Sequence, residues 1–298
     1  MLYHRRIGSC DIYNIIEYAG PTHDPRIVFP DLLPEDIQVA ARELGAEQYV
    51  AHMNRFVVAI QIWVLRCNGR IVVIDTGVGN GKTRRVPRMS GLNTRTLEWL
   101  AAAGATAETV TDVVNTHLHS DHVGWNVCEN NGVREVTFPK ARHYLPRADL
   151  DHFGKIYDGG DLRASDGAFA DSVIPVLDLG NVEIVDGPAE ICDGLRIVPA
   201  HGHTSGMFVL ELASLGEKGV FSADVFHSPI QIMRPELNTA FCILPEEARD
   251  TRRAFLERHA DTGALIMPCH FGFPHCGRIV RENESFRFVP DMPVLSTG

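Results

Sequence analysis

The chain has 298 residues, 45% hydrophobic and 22% charged, the make-up of an ordinary globular protein. Its formal net charge of −10 disfavours nucleic acid or an anionic membrane surface as partner, since both reward basic faces, and leaves a small-molecule substrate open. No stretch approaches 18 uninterrupted apolar residues, which excludes a helical membrane span.

In chain order, the N-terminus carries charge with no apolar run behind it, and the seven cysteines are scattered, odd in number and without a CxxC pair. That pattern gives no disulfide framework and points to a reducing, cytoplasmic setting. Asp11–Tyr18 reads as a strand or a short helix, and Pro21, Pro25 and Pro30 mark irregular backbone after it. Pro34–Tyr49 reads as a helix, with proline suited to its start and Glu35 and Asp36 in its first turn. Residues 1–50 are expected to form an arm or lid packed on a main domain of residues 51–298.

Phe56–Leu65 and Arg70–Ile74 are apolar runs parted by Asn68–Gly69, a hairpin signal. Residues 77–95 are rich in glycine and basic side chains and read as a lid or binding loop. Arg84, Arg85 and Arg88 there either face an anionic or polar substrate or stay solvated on a mobile loop. Thr94–Ala103 reads as a helix stopped by Gly104.

Val113–Gly124 places His117, His119, Asp121 and His122 within six residues. Core packing rarely produces such a cluster, because histidine is only intermediate in burial and a buried aspartate needs a partner. Neutral imidazole and carboxylate are good ligands for zinc and other first-row divalent metals. Trp125 follows as pocket wall or core, and residues 146–172 suggest a loop-rich or helical insertion. Short strands are expected at Glu135–Phe138, Ala141–Tyr144, Val173–Leu177, Val182–Val185 and Leu195–Pro199. Met207–Leu212, Gly219–Phe221 and Ala264–Met267 continue the series, Glu246–Ala260 is helical by periodicity, and Val280 onward reads as a tail.

One arrangement recurs: an apolar strand ends and a histidine or aspartate follows, at Asp75, His117, His203, Asp224 and His270. Two packed sheets sharing a site at one rim account for this, with the segments 34–49, 94–103 and 246–260 as covering helices. The candidate ligands His117, His119, Asp121, His122, His203, Asp224 and His270 exceed one tetrahedral zinc and suit two metals. Two cations roughly 3.5–4 Å apart share a water, lower its pKa and clamp an incoming oxygen, which is hydrolase chemistry without a serine or cysteine nucleophile. His201 and His275 read as turn residues and Cys269 as a small buried one.

With HxHxDH at 117–122, Gly-His-Thr at 202–204, Asp224 after an apolar strand and His270 near the end, the chain resembles the metallo-β-lactamase fold superfamily. HLHSDHVG, the HSPIQ segment at 227–231 and PCHF at 268–271 are most similar to its lactonase and organophosphate-hydrolase-like branch. The resemblance implies an α/β (α+β) fold, built as a four-layer αββα sandwich. It implies His117, His119 and His203 on one divalent metal, Asp121, His122 and His270 on a second, Asp224 bridging both, and Asp75 supporting the ligand loop. Zinc is the first candidate, with manganese, cobalt or iron as the others.

A metal-bound hydroxide would then open a lactone or cleave another small ester, with Asp121 or Asp224 managing the proton. In related lactonases a tyrosine three residues after the bridging aspartate polarises the substrate carbonyl. Here that position is His227, which either donates to the developing oxyanion or packs beside Phe226. The alternatives are phosphotriester or amide hydrolysis at the same centre, a non-hydrolytic small-molecule binder, or a mono-iron sulfur dioxygenase of the same fold. The N-terminal segment and exposed turns are compatible with a homodimer.

Overall fold

The apolar runs become two stacked sheets, and residue alternation along each strand shows what its two faces bury. In a computed structural model that describes residues 1–292, strand Arg55–Cys67 sends Trp63 and Leu65 to one face and Ile62 and Val64 to the other. The first pair packs between the sheets against Phe208, Leu210, Phe221 and Met267 of the second sheet. The second pair packs outward with Leu100 of helix Thr96–Ala102. On the far side, Val209 and Val220 face outward against Phe255 and Leu256 of helix Pro245–His259. Helix, sheet, sheet and helix make the four-layer αββα sandwich.

The first sheet runs Leu2–Ile7, Cys10–His23, Arg55–Cys67, Arg70–Ile74, Asp112–Val114, Arg142–Pro146, Val182–Val185, with Tyr49–Val50 beside Arg55–Cys67. The second runs Ala189–Cys192, Leu195–Pro199, Phe208–Ser214, Glu217–Ala223, Leu265–Pro268, Gly277–Glu282, Ser285–Pro290. The Asn68–Gly69 hairpin is present, both residues taking positive φ (51° and 77°) as a tight two-residue turn requires. Asp112–Val114 lies parallel to Arg70–Ile74, so both release their next residues, from Asn115 and from Asp75, at one rim. Glu217–Ala223 and Leu265–Pro268 are also parallel and release Asp224 and His270. The two rims are joined by Phe208 N–H donating to the Thr116 carbonyl (3.1 Å) and Ala59 N–H to the His270 carbonyl (3.0 Å).

Several elements differ from the sequence pattern. Residues 173–177 are helical rather than extended, a π-turn at Phe169–Val173 running into helix Ile174–Leu179 with Pro175 in its first turn. Val173 and Val176 face Leu118, Leu145 and Phe153, so a short apolar run lines a buried helix, which periodicity alone does not separate from a strand. The helix from Pro34 ends at Glu43, because Leu44 is already extended. Val280 onward is no tail: Gly277–Glu282 pairs with Ser285–Pro290 around Asn283, whose φ of 57° turns the chain. Cys10 and Cys67 are bonded, because strand register brings together residues that lie 57 apart in sequence. Residues 1–23 supply two strands of the first sheet, and Val28, Phe29 and Leu32 pack with Phe56 and Ile230. No helix among the described residues is long and apolar enough to cross a membrane.

The loop over residues 77–95 is anchored. Arg84 is buried and forms a two-pronged pair with Asp171 (2.7 and 3.0 Å), so it is neither solvated nor turned to a substrate. Arg85 is exposed, while its backbone N–H donates to Asp166. Trp125 is core, its indole N–H donating to buried Glu17 at 2.6 Å. The loop passes so close to Gly124 that a Cβ there would sit 1.8 Å from the Val78 carbonyl oxygen. Both sides of that contact are backbone, so Gly124→Ala is expected to cost roughly 3 kcal/mol and lower the melting temperature by about 5 °C in a circular-dichroism melt.

Candidate metal centre

The site begins with Asp75. Its Oδ1 accepts the Thr116 N–H (2.7 Å), its Oδ2 accepts the Thr116 hydroxyl (2.8 Å), and Oδ2 also faces His122 Nδ1 (2.9 Å). These bonds shape the turn from Asn115 to His122 and leave His122 Nε2 aimed inward. Asp75 is fully buried and holds a positive φ of 54°, a conformation that a non-glycine residue adopts only when its surroundings impose it.

Asp224 is the hub. Its Oδ2 lies 3.1 Å from His203 Nε2, 3.1 Å from His270 Nε2, 3.2 Å from His227 Nε2 and 3.6 Å from His117 Nε2. Its Oδ1 lies 3.4 Å from His122 Nε2. Asp121 stands across the cluster, with Oδ2 3.8 Å from both His122 Nε2 and His270 Nε2. His119 Nδ1 meets His203 Nε2 at 2.9 Å. The structure thus brings all seven sequence-derived candidates into one cluster.

Donor atoms of His117, His119 and His203 lie within 4.8 Å of one another, as do those of Asp121, His122 and His270 and those of His117, His122 and Asp224. His203, Asp224 and His227 form another such group, so His227 stands at the cluster rather than only beside Phe226. Asp75, His122 and Cys269 form one more, with the Cys269 thiol 3.4 Å from Asp75 Oδ2.

The protein alone leaves this cluster unsatisfied. His117 Nε2, His122 Nε2 and Asp224 Oδ1 are buried without a hydrogen-bonding partner, where buried polar atoms are normally paired. Burial holds His117 well below the ordinary histidine value and brings His119 down to about 3. Burial also pulls on His203, but the Asp224 charge overcomes it and lifts the ring to about 9. Burial pushes the Asp224 carboxyl up, and the surrounding imidazoles, His122 foremost, hold it well below the usual carboxylate range. Unpaired inward nitrogens around a central carboxylate are the donor set of a dinuclear site for first-row divalent cations.

Two buried acids support the site without any pattern in the sequence to mark them. Asp149, in helix Arg147–Asp158, accepts the Leu118 N–H (3.0 Å) and the Gly206 N–H (2.6 Å), joining the loop of His117 and His119 to that of His203. Glu17 accepts the N–H groups of Val78 (2.6 Å) and Gly79 (3.1 Å) besides the Trp125 indole. Burial lifts the Glu17 carboxyl to about 7, against the pull of those donors. Of the remaining histidines, His275 is tied to the Phe271 carbonyl through Nδ1 (2.8 Å), and His201 lends its carbonyl to the Thr251 hydroxyl (2.6 Å).

The fold has solved relatives. AidC, a dizinc quorum-quenching lactonase in complex with the product N-hexanoyl-L-homoserine, is 20% identical with a TM-score of 0.78, each chain covered over 98% of its length. The hydrolase AbOPH of the beta-lactamase superfamily is 21% identical with a TM-score of 0.78 and 98% coverage of each chain. A probable metal-dependent hydrolase from Staphylococcus aureus is 16% identical, with a TM-score of 0.73 over 97% of this chain and all of its own. None of the curated proteins compared matches the chain. The family model of the metallo-beta-lactamase superfamily matches residues 55–270. That span runs from the long central strand of the first sheet to the last histidine of the cluster, and the chain belongs to the metallo-beta-lactamase superfamily, with the fold and donor clusters of a metal-dependent hydrolase.

Proposed function

We propose that this protein is a dinuclear-metal hydrolase that opens a lactone or cleaves another small ester. The observation that carries the proposal is the convergence of two donor groups on either side of Asp224. His117, His119 and His203 would hold one divalent ion, Asp121, His122 and His270 the other, and Asp224 would reach both. Such a pair of ions, when bound, supplies an activated water and a Lewis-acid contact for the carbonyl oxygen. The product held in AidC supports a lactone as the electrophile.

The chain contributes the remaining groups. Burial lowers His227 to about 4, so the ring is neutral through the working range and carries a single N–H. Its Nε2 lies 3.2 Å from Asp224 Oδ2, its backbone N–H is held by Gln231 Oε1 (2.7 Å), and its ring stacks on His270. In this reading that one proton sits on Nε2, shared with Asp224, and turns to the substrate oxygen as negative charge builds there. Asp121, more open than Asp224, takes up and returns the proton. Phe241, with its ring 6.0 Å from that of His227, offers an apolar wall.

Metal analysis followed by a screen of lactones, aryl esters and phosphotriesters with zinc-, manganese- and cobalt-loaded protein tests the proposal. Two ions per chain with lactone or ester turnover support it; one iron per chain, or turnover confined to phosphotriesters, sinks it. His227→Phe is expected to keep both ions and lose about 10²-fold in kcat on carbonyl substrates. Unchanged kcat removes His227 from the mechanism.

A further inference from the structure

Arg88 is a cation left without an anion. It is half-buried, and its guanidinium makes one side-chain hydrogen bond, from Nη2 to His23 Nε2 at 2.6 Å. Among the described residues no carboxylate lies within ion-pair distance of it, in a chain of net charge −10. His23 does not neutralise it. Nε2 accepts from Arg88, so the ring proton sits on Nδ1, 2.9 Å from the Thr22 hydroxyl oxygen, which accepts it. Burial first, and the Arg88 charge second, bring His23 down to about 3, which keeps the ring neutral. A neutral acceptor therefore fixes the guanidinium while leaving its charge and its other N–H groups unspent.

The pair is held rigidly. Arg88 lies in the short turn Pro87–Met89, closed by Met89 N–H on the Val86 carbonyl (2.9 Å) and Gly91 N–H on the Lys82 carbonyl (2.7 Å). Arg84 and Asp171 pin the same loop to the body of the fold.

The pair also stands at the rim of the metal centre. His23 is opposite Phe56 in the strand register, and Ala59, three residues along that strand, binds His270 through both its N–H and its carbonyl. Three residues of strand span roughly 10 Å. Behind His23, Val28 and Phe29 pack with Ile230, just past His227.

We infer that Arg88 is a specificity-determining residue that binds a carboxylate carried by the substrate away from the scissile ester, with His23 as its positioning residue. A single guanidinium suits a carboxylate, two parallel N–H groups meeting its two oxygens. The inference rests on the ester-hydrolase reading for its kinetic consequence, and on the His23–Arg88 geometry alone for its binding consequence.

Two matched substrates read it out: the 4-nitrophenyl hemiester of glutaric acid and 4-nitrophenyl valerate, alike in length and different in charge. The metal-loaded protein is expected to favour the hemiester by about tenfold in kcat/KM. Arg88→Gln is expected to raise KM for the hemiester about tenfold, leave its kcat in place and leave the valerate ester untouched, while Arg88→Lys restores part of the loss. His23→Ala should give the same split more weakly. Equal changes on both esters, or none, overturn the inference. Calorimetric titration of the metal-loaded proteins with the monoamide of glutaric acid decides the matter without turnover. About tenfold weaker binding to Arg88→Gln supports the assignment, and equal binding overturns it. Absence of any ester turnover in the unmutated protein would count against the hydrolase reading alone, with the titration still deciding the role of Arg88.

Discussion

Asp224→Ala is expected to reduce turnover by at least about 10³-fold and to bring metal content below two ions per chain. Five imidazole nitrogens, from His117, His122, His203, His227 and His270, lie within 3.6 Å of its two oxygens. Removing the carboxylate takes away the one anion that those rings share. His122 and His203, whose Nε2 atoms lie 3.4 and 3.1 Å from the Asp224 oxygens, would lose the partner that orients them. In the loaded protein the same deletion would leave two cations facing each other without a bridge. Elemental analysis gives the stoichiometry and kcat/KM on the best ester gives the rate. Because Asp224 leaves a strand end and no backbone donor depends on it, a circular-dichroism spectrum like that of the unmutated protein is expected. Two retained ions with undiminished rate would mean that the centre lies elsewhere.

Asp75→Ala is expected to cost about 3 kcal/mol of stability, roughly 5 °C in melting temperature, and about 10- to 100-fold in metal affinity. The two effects share a cause. The Thr116 N–H and hydroxyl and the His122 ring all turn to this carboxylate in a fully buried position. Alanine strands those donors and also has to hold the positive φ of residue 75. Asp75→Asn keeps a carbonyl oxygen for Thr116 and tolerates the backbone, so it should recover most of the stability while leaving affinity low, since the amide cannot supply the negative charge behind His122. Thermal melts and competition with a chromogenic chelator separate the two quantities. A stable Asp75→Ala with unchanged affinity would show that the turn holds itself.

The features legible in the sequence are those written in short-range chemistry. Asn68–Gly69 announces its hairpin because few residues accept positive φ there, and HxHxDH announces a cation site because nothing in core packing calls for it. Strand ends at Asp75, Asp224 and His270 follow from apolar runs that stop abruptly. What stayed hidden depends on partners far along the chain. Val173–Leu177 has strand-like composition, but its burial partners are Leu118 and Phe153, which favour the helix. Arg84 looks solvated until Asp171 is folded against it, and Cys10 and Cys67 look unrelated until two strands align. Glu17 and Asp149 are isolated acids whose importance lies in backbone donors that only the tertiary structure delivers.

Asp149 has one more implication, for the order of events during folding. Its two oxygens clasp Leu118 and Gly206, which lie on either side of it in the chain and in loops attached to different sheets. The segment up to Asp149 carries four of the seven candidate donors, His117, His119, Asp121 and His122, with their loop braced by Asp75 but not yet tied to the loop of His203. The last of the candidates, His270, follows strand Leu265–Pro268, late in the second sheet. Closure of the cluster therefore waits on the docking of both sheets, and a chain in which they had not docked would present an incomplete donor set.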